Sequence, residues 1–262
     1  MNAMLSIGEV KGTVLDFDDT VFDNGNEPGV YGNNMHSKSR LAAVHAVGAS
    51  YGEKRLLEIT AEQNVQAFLR SPVHTLEGGI WQVLLTAGIV MGDLDPSHEL
   101  VRKIVEHKDT LYIELVQTEG RLVPGADKFV RALDRRGIPM AIGSTAPRKI
   151  IDLVFGITGL NEFIPGERIV SIEKLTHPKP HPQAFDLAYR TLGLPEDDRG
   201  STLAIDDDPR GIQSARGAAL HTYGIATRFF VPELLALPIP PHRAVDSYDA
   251  AAEMLGFSLD TD

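Results

Sequence analysis

Cysteine is missing from all 262 residues. That absence rules out disulfides, zinc–thiolate centres and cysteine nucleophiles. A surplus of positive charge is missing as well: 25 lysines and arginines face 36 aspartates and glutamates, for a formal net charge of −11. A surface of that sign repels polyanions, so nucleic acid is not an expected partner, although a local positive site can still hold a small anion. No stretch approaches the ~20 apolar residues that span a bilayer. The opening MNAMLSIGEVKG has neither the basic segment nor the apolar run of a secretory leader. The expectation is a cytoplasmic protein with no membrane partner. Internal repeats and low-complexity segments are absent too. What is present is ordinary globular material, 43% hydrophobic and 23% charged, enough for one large domain or two modest ones.

Residues 13–17 read as a short buried strand, apolar up to an acidic end. A polar, glycine-rich loop follows over 23–34. From about 37 to 117 the pattern is helical and offers no convincing strand. Leu76, Ile80, Val83, Leu84 and Ala87 fall on one helical face, with Gly88 as a stop. Leu57, Ala61, Val65 and Phe68 make another face, and Asp95-Pro96 supplies the cap and first turn of a third helix. After Gly120 the pattern alternates. Helices are expected over 124–137, 147–155, 182–192, 212–219 and 247–255, and strands over 138–143, 202–205 and 221–225. Such alternation implies an α/β fold, a parallel sheet covered by helices on both faces. In sheets of this kind ligands bind at the carboxyl ends of the strands, where Asp16, Ser144 and Asp206 all stand.

Four stretches carry chemistry. In Asp16-Phe17-Asp18-Asp19-Thr20, residues two apart in an extended chain point the same way, so Asp16 and Asp18 can share a site. Two carboxylates held close need a cation or proton between them, and their oxygens suit a hard cation; the plainer alternative is an acidic turn. Asp206-Asp207-Asp208 after an apolar strand carries the same repulsion, and a cap at Pro209 accounts for Asp208 only. Lys179, flanked by Pro178 and Pro180, sits in a stiff non-helical loop suited to presenting one ammonium to an anion, or is an ordinary solvated lysine. Ser144-Thr145 offers hydroxyl and backbone donors for phosphate oxygens, or a helix cap before Pro147.

In order and placement these four stretches resemble the motifs of the haloacid dehalogenase superfamily: a DxDxT signature (Asp16 to Thr20), a strand-ending serine (Ser144), a lysine before a helix (Lys179) and an acidic pair (Asp206-Asp207) followed by Pro209-Arg210-Gly211. The resemblance covers roughly residues 11–256. Its spacing is similar to the subgroup of beta-phosphoglucomutases and phosphoglycolate phosphatases, except that Asp19 replaces the subgroup's usual glycine. The resemblance implies a Rossmann-like catalytic core of residues 1–21 and 119–262 and an inserted all-α cap domain of residues 22–118. It implies a Mg2+-dependent phosphatase acting on a small phosphorylated metabolite, as a monomer or homodimer. Asp16 would be the nucleophile and Asp18 the general acid and base. Ser144, Thr145 and Lys179 would bind the phosphoryl group. The metal would lie on the Asp16 carboxylate, the Asp18 carbonyl, and Asp206 or Asp207, and Thr20 would brace the loop. In the cap loop, Arg70, His74 and Thr75 are candidates for substrate contact, and a plain surface turn is the alternative.

Three rival readings remain open at this level. A sugar-phosphate mutase would use the same aspartyl-phosphate. A dehalogenase or phosphonate hydrolase is opposed by Asp18, which relatives with those activities lack. A non-catalytic binding or regulatory protein could use the same fold.

Overall fold

The computed structural model describes residues 5–30, 32–73 and 75–259. The chain divides into two compact units, Met1–Gly29 with Gly120–Asp262, and Val30–Glu119.

The first unit is built on a six-stranded parallel sheet in the order β5-β4-β1-β6-β7-β8. Its strands are β1 (Gly12–Leu15), β4 (Met140–Gly143), β5 (Ile169–Val170), β6 (Thr202–Asp206), β7 (His221–Ile225) and β8 (Arg243–Val245). Two further short strands, β2 (Phe22–Asp23) and β3 (Arg121–Leu122), form an antiparallel ribbon. That pairing draws residues 22–29 into the sheet unit, where the sequence grouping had put them with the helical block. The central strand β1 is apolar and buried at every position because helices cover both faces. Val14 packs with Phe185, Ala188 and Tyr189 of α8 (Gln183–Thr191) and Ala215 of α9 (Pro209–Gly217). Its neighbours Thr13 and Leu15, which point to the opposite face, are equally sealed from solvent. Phe17 stacks on Phe22 and meets Phe155 of α7 (Arg148–Thr158). α6 (Ala126–Arg135) meets α11 (Tyr248–Leu255) through Phe129 and Tyr248.

The edge strands β5 and β8, and the short helix α10 (Val231–Leu235), were not expected from the sequence. Two- and three-residue strands give too little alternation to register as a period, and their pairing partner alone defines them.

The second unit is all-helical: α1 (Met35–Tyr51), α2 (Lys54–Leu57), α3 (Ala61–Arg70), α4 (Leu76–Thr86) and α5 (Glu99–Glu119). Its core gathers Ala43, Val44 and Val47 of α1, Ile80, Val83 and Leu84 of α4, and Val101 and Ile104 of α5. Local chemistry moves two expected boundaries. Leu57 does not share a helix with Ala61, Val65 and Phe68. Thr60 and Gln63 form a capping box that starts α3 afresh, and Leu57 is left 46% exposed. Asp95 does not cap α5. Its carboxylate accepts from Ser97 N and Oγ instead, closing a turn one step upstream of the helix. Among the described residues, no helix is long and apolar enough to cross a membrane.

The two leucines give a test of this helical packing. Leu84→Ala empties a fully buried position and should cost about 2–5 kcal/mol in denaturant unfolding. Leu57→Ala should cost no more than about 0.5 kcal/mol. Equal costs would show that the α2–α3 break is misdrawn.

Candidate active site

The sheet register assembles the site. β1 pairs with β6 at Leu15↔Ile205, and Asp16 N donates to Ile205 O at 2.9 Å. Asp16 therefore leaves its strand level with Asp206. β1 pairs with β4 at Leu15↔Ile142, which puts Ser144 one step beyond the same edge. Asp16, Ser144, Asp206 and Asp207 are all buried.

Lys179 ties two of these strands together. Its ammonium donates to Asp16 Oδ1 and, at 2.7 Å, to Asp206 Oδ2, with the Phe185 ring beneath it at 4.7 Å. Its side chain is only 8% exposed, so it is not a solvated lysine. Burial alone would lower its pKa, but the carboxylates of Asp16 and Asp206 hold it above the usual lysine range. Burial pushes both carboxylates upward despite that ammonium, Asp206 to about 7. Asp207 is also raised well above the usual carboxylate range, by burial first and by Asp206 second. These shifts share one cause: more negative charge has been taken out of water than Lys179 can balance.

That excess bears on whether a cation fits. Oxygens of Asp16, Asp206 and Asp207 come within 4.8 Å of one another, an all-carboxylate set suited to a hard divalent ion. The two members of the acidic pair differ in what they have left to offer. Asp206 is engaged at both oxygens, by Lys179 and by the Asp208 N–H at 2.8 Å. Asp207 Oδ1 accepts from Thr20 Oγ1 at 3.1 Å, while its buried Oδ2 has no hydrogen-bond partner. The nearest described cation to that oxygen is Arg228 Nη1 at 3.6 Å. A buried carboxylate oxygen without a partner is costly, and a metal ion would satisfy it.

The DxDxT segment turns sharply after β1. Asp19 has φ 56°, in the left-handed region, which explains why the resembling subgroup favours glycine there. Aspartate tolerates the conformation, and here its carboxylate is tied to Asn24 N at 3.1 Å and Asn26 Nδ2 at 2.6 Å. Its carbonyl accepts from Thr227 Oγ1 at 2.6 Å. Burial, then Asp18, raises Asp19 to about 7. The Asp18 carboxylate accepts from Asn24 Nδ2 at 2.8 Å and is not part of the three-carboxylate cluster, though it lies near enough to raise Asp16. Thr20 braces the segment twice, by its hydroxyl on Asp207 and by its carbonyl, which accepts from Tyr248 Oη at 2.9 Å.

Ser144 Oγ accepts from Ala146 N at 3.0 Å, while Thr145 is exposed. Arg70 is exposed at the end of α3, and Thr75 caps α4 by accepting from Gly78 N at 3.1 Å. His74 lies outside the described residues.

Sequence reasoning missed Arg228, which donates to Asp208 Oδ2 at 2.9 Å, as well as Asn24, Thr227 and the constraint at Gly211. The rule that picked out Asp206, polar residues just past a strand's carboxyl end, applies equally to residues 226–228 after β7. At Gly211 a Cβ would stand 1.9 Å from Asp206 Oδ2, so only glycine lets α9 pass this carboxylate.

Comparison with known proteins places the chain among hydrolases of one family. A model of the haloacid dehalogenase-like hydrolases matches residues 10–219. The chain is 22% identical to a phosphoglycolate phosphatase of Pectobacterium atrosepticum over 97% of this chain and 96% of the relative. It is 28% identical to hexitol phosphatase A of Escherichia coli, over 50% of this chain and 58% of that one. Among solved structures, a family IA hydrolase from Entamoeba histolytica superposes with a TM-score of 0.70 at 20% identity, covering 94% of this chain and 98% of that one. CbbY from Rhodobacter sphaeroides, in complex with phosphate, gives 0.62 at 19% identity, covering 91% and 95%.

Two measurements probe the cluster. A metal ion and protons compete for carboxylates whose folded-state pKa is raised. Without metal, these groups favour the fold at low pH, and that contribution is lost as pH rises toward about 7. The rise in melting temperature produced by magnesium should therefore grow between about pH 5.5 and 7.5; a flat or falling response would refute the assignment. Gly211→Ala should displace Asp206 and weaken divalent-ion binding by about 10–100-fold in calorimetry, and unchanged affinity would separate Asp206 from the site.

Proposed function

The chain belongs to the haloacid dehalogenase-like hydrolase family, and on that premise we propose that it is a divalent-metal-dependent phosphatase hydrolysing a small phosphate monoester through an aspartyl-phosphate on Asp16. The observation that carries this reading is the buried meeting of Asp16, Asp206, Asp207 and Lys179. A charge-dense, water-poor cluster of this kind has little structural value and suits phosphoryl transfer, where positioning and electrostatics do most of the work.

An oxygen of the ionised Asp16 carboxylate attacks phosphorus in line as the bond to the leaving alcohol breaks. Asp18, oriented by Asn24, donates a proton to the departing oxygen. It then takes a proton from the water that attacks phosphorus, which frees inorganic phosphate and restores Asp16. Lys179 keeps Asp16 ionised and aimed. Because Ser144 Oγ already accepts from Ala146 N, its own O–H is available to donate to a phosphoryl oxygen. Magnesium on Asp16, the Asp18 carbonyl and Asp207 would neutralise the phosphoryl oxygens so that an anionic nucleophile can approach an anionic ester. Asp207 is preferred over Asp206 because its Oδ2 lacks a partner, while both Asp206 oxygens are engaged. The similarity to phosphatases that handle small metabolites supports a substrate of that size.

The test is release of phosphate from para-nitrophenyl phosphate and a panel of phosphorylated metabolites, with and without magnesium. Asp16→Asn should lower turnover by at least about a thousandfold and Asp18→Asn by about 10²–10⁴-fold. Wild type as inert as Asp16→Asn on every ester would overturn the enzyme reading. Isomerisation of a sugar phosphate without phosphate release would replace the phosphatase by a mutase.

A further inference from the structure

The sheet has a second cluster of unusual electrostatics, at the opposite edge from Asp16. β7 begins at His221 and β8 at Arg243, and the register Tyr223↔Arg243 sets those two side chains next to each other on one face, with His221 two residues earlier on the same face. The His221 ring stacks on His242 at 4.4 Å and lies 5.7 Å from the Tyr223 ring. Arg216, in the last turn of α9, contacts His242 through Nη1. α9 starts at the Asp208 cap beside the catalytic acids, so its nine residues, roughly 13 Å of helix, separate the two clusters.

Two features of this group point to an absent ligand. The first is charge. Among the described residues no carboxylate pairs with Arg216 or Arg243, in a chain whose formal net charge is −11. Burial, followed by the neighbouring arginines, lowers both histidines, His242 to about 4, so they are neutral near pH 7 and offset nothing.

The second is hydrogen-bond balance. His242 Nδ1 faces the Thr222 N–H at 2.9 Å, and Arg216 Nη1 lies against both ring nitrogens. A neutral imidazole accepts at one nitrogen only, so one of these donors goes without an acceptor. Arg216 Nε and Tyr223 Oη are buried with no partner at all. Arg243 Nη1 has only the His242 carbonyl, at 2.7 Å. Donors outnumber acceptors, and an oxyanion is the group that supplies several acceptors together with negative charge. Arg216, Arg243 and His242 are only partly buried, so such a group can reach them from solvent.

We infer that Arg216 and Arg243, beside the His221–His242 pair, form a second, non-catalytic site that binds a phosphate-type oxyanion, either free phosphate or the phosphate of a larger metabolite. The site does not depend on the proposed catalytic chemistry.

The experiment is a titration of the full chain with inorganic phosphate, read at the ring resonances of His221 and His242 assigned by substitution. Saturable shifts that persist in Lys179→Met are expected, because that variant alters the catalytic lysine and leaves this cluster intact. Arg243→Gln should weaken the response at least about tenfold. If Arg243→Gln does not fold, Arg216→Gln decides: it removes a partly exposed guanidinium with no carboxylate partner among the described residues, so the melting temperature should hold while phosphate binding weakens. Silent histidine resonances in the unaltered protein, or wild-type affinity in the deciding variant, would overturn the site. A phosphorylated sugar binding more tightly than inorganic phosphate would identify the larger source.

Discussion

The molecule's chemistry depends on one electrostatic imbalance. Three carboxylates, Asp16, Asp206 and Asp207, share a buried space with a single ammonium, that of Lys179. Two such charges about 4 Å apart repel by about 4 kcal/mol at an effective dielectric of 20, so the arrangement persists only because the fold enforces it. Strand β1 and strand β6 are locked in register by backbone bonds, and each ends in an acid at the same level. The Lys179 ammonium lies across their ends, which leaves Asp207 as the acid whose outer oxygen still needs a partner. The same imbalance accounts for the raised carboxylates and for the suitability of the site to a divalent ion.

Around this cluster the backbone is arranged to hold charge close. The left-handed turn at Asp19 redirects the chain just after β1, and side chains of Asn24, Asn26 and Thr227 fix that turn. Thr20 links the turn to Asp207 by its hydroxyl and to Tyr248 by its carbonyl. Gly211 lets the first turn of α9 pass the Asp206 carboxylate. Each device uses backbone shape or a short polar side chain.

Helix α9 connects two regions of opposite character. Its amino-terminal end is capped by Asp208 beside the acidic cluster, and its last turn carries Arg216 into a group with an excess of donors. One cluster has an excess of carboxylates and the other an excess of donors. Within a single Rossmann-like sheet, the carboxyl edge and the amino edge thus present complementary chemistries.

Taken alone, the sequence determined the parallel α/β class and the helical insertion, and pointed to Asp16 and Asp206 at strand ends. These follow from hydrophobic period and from charged residues placed where a strand ends, both of which are local properties. Only the tertiary structure decided which oxygen of the acidic pair has no hydrogen bond, that Asp18 accepts from Asn24, and that Arg228 approaches the pair. It also decided the short edge strands β5 and β8, the fresh start of α3 at Thr60 and the turn at Asp95. The physical reason is common to these cases. Partner choice and side-chain direction depend on register between segments far apart in the chain, and on local caps that compete with periodicity, and neither leaves a repeating mark in the order of residues.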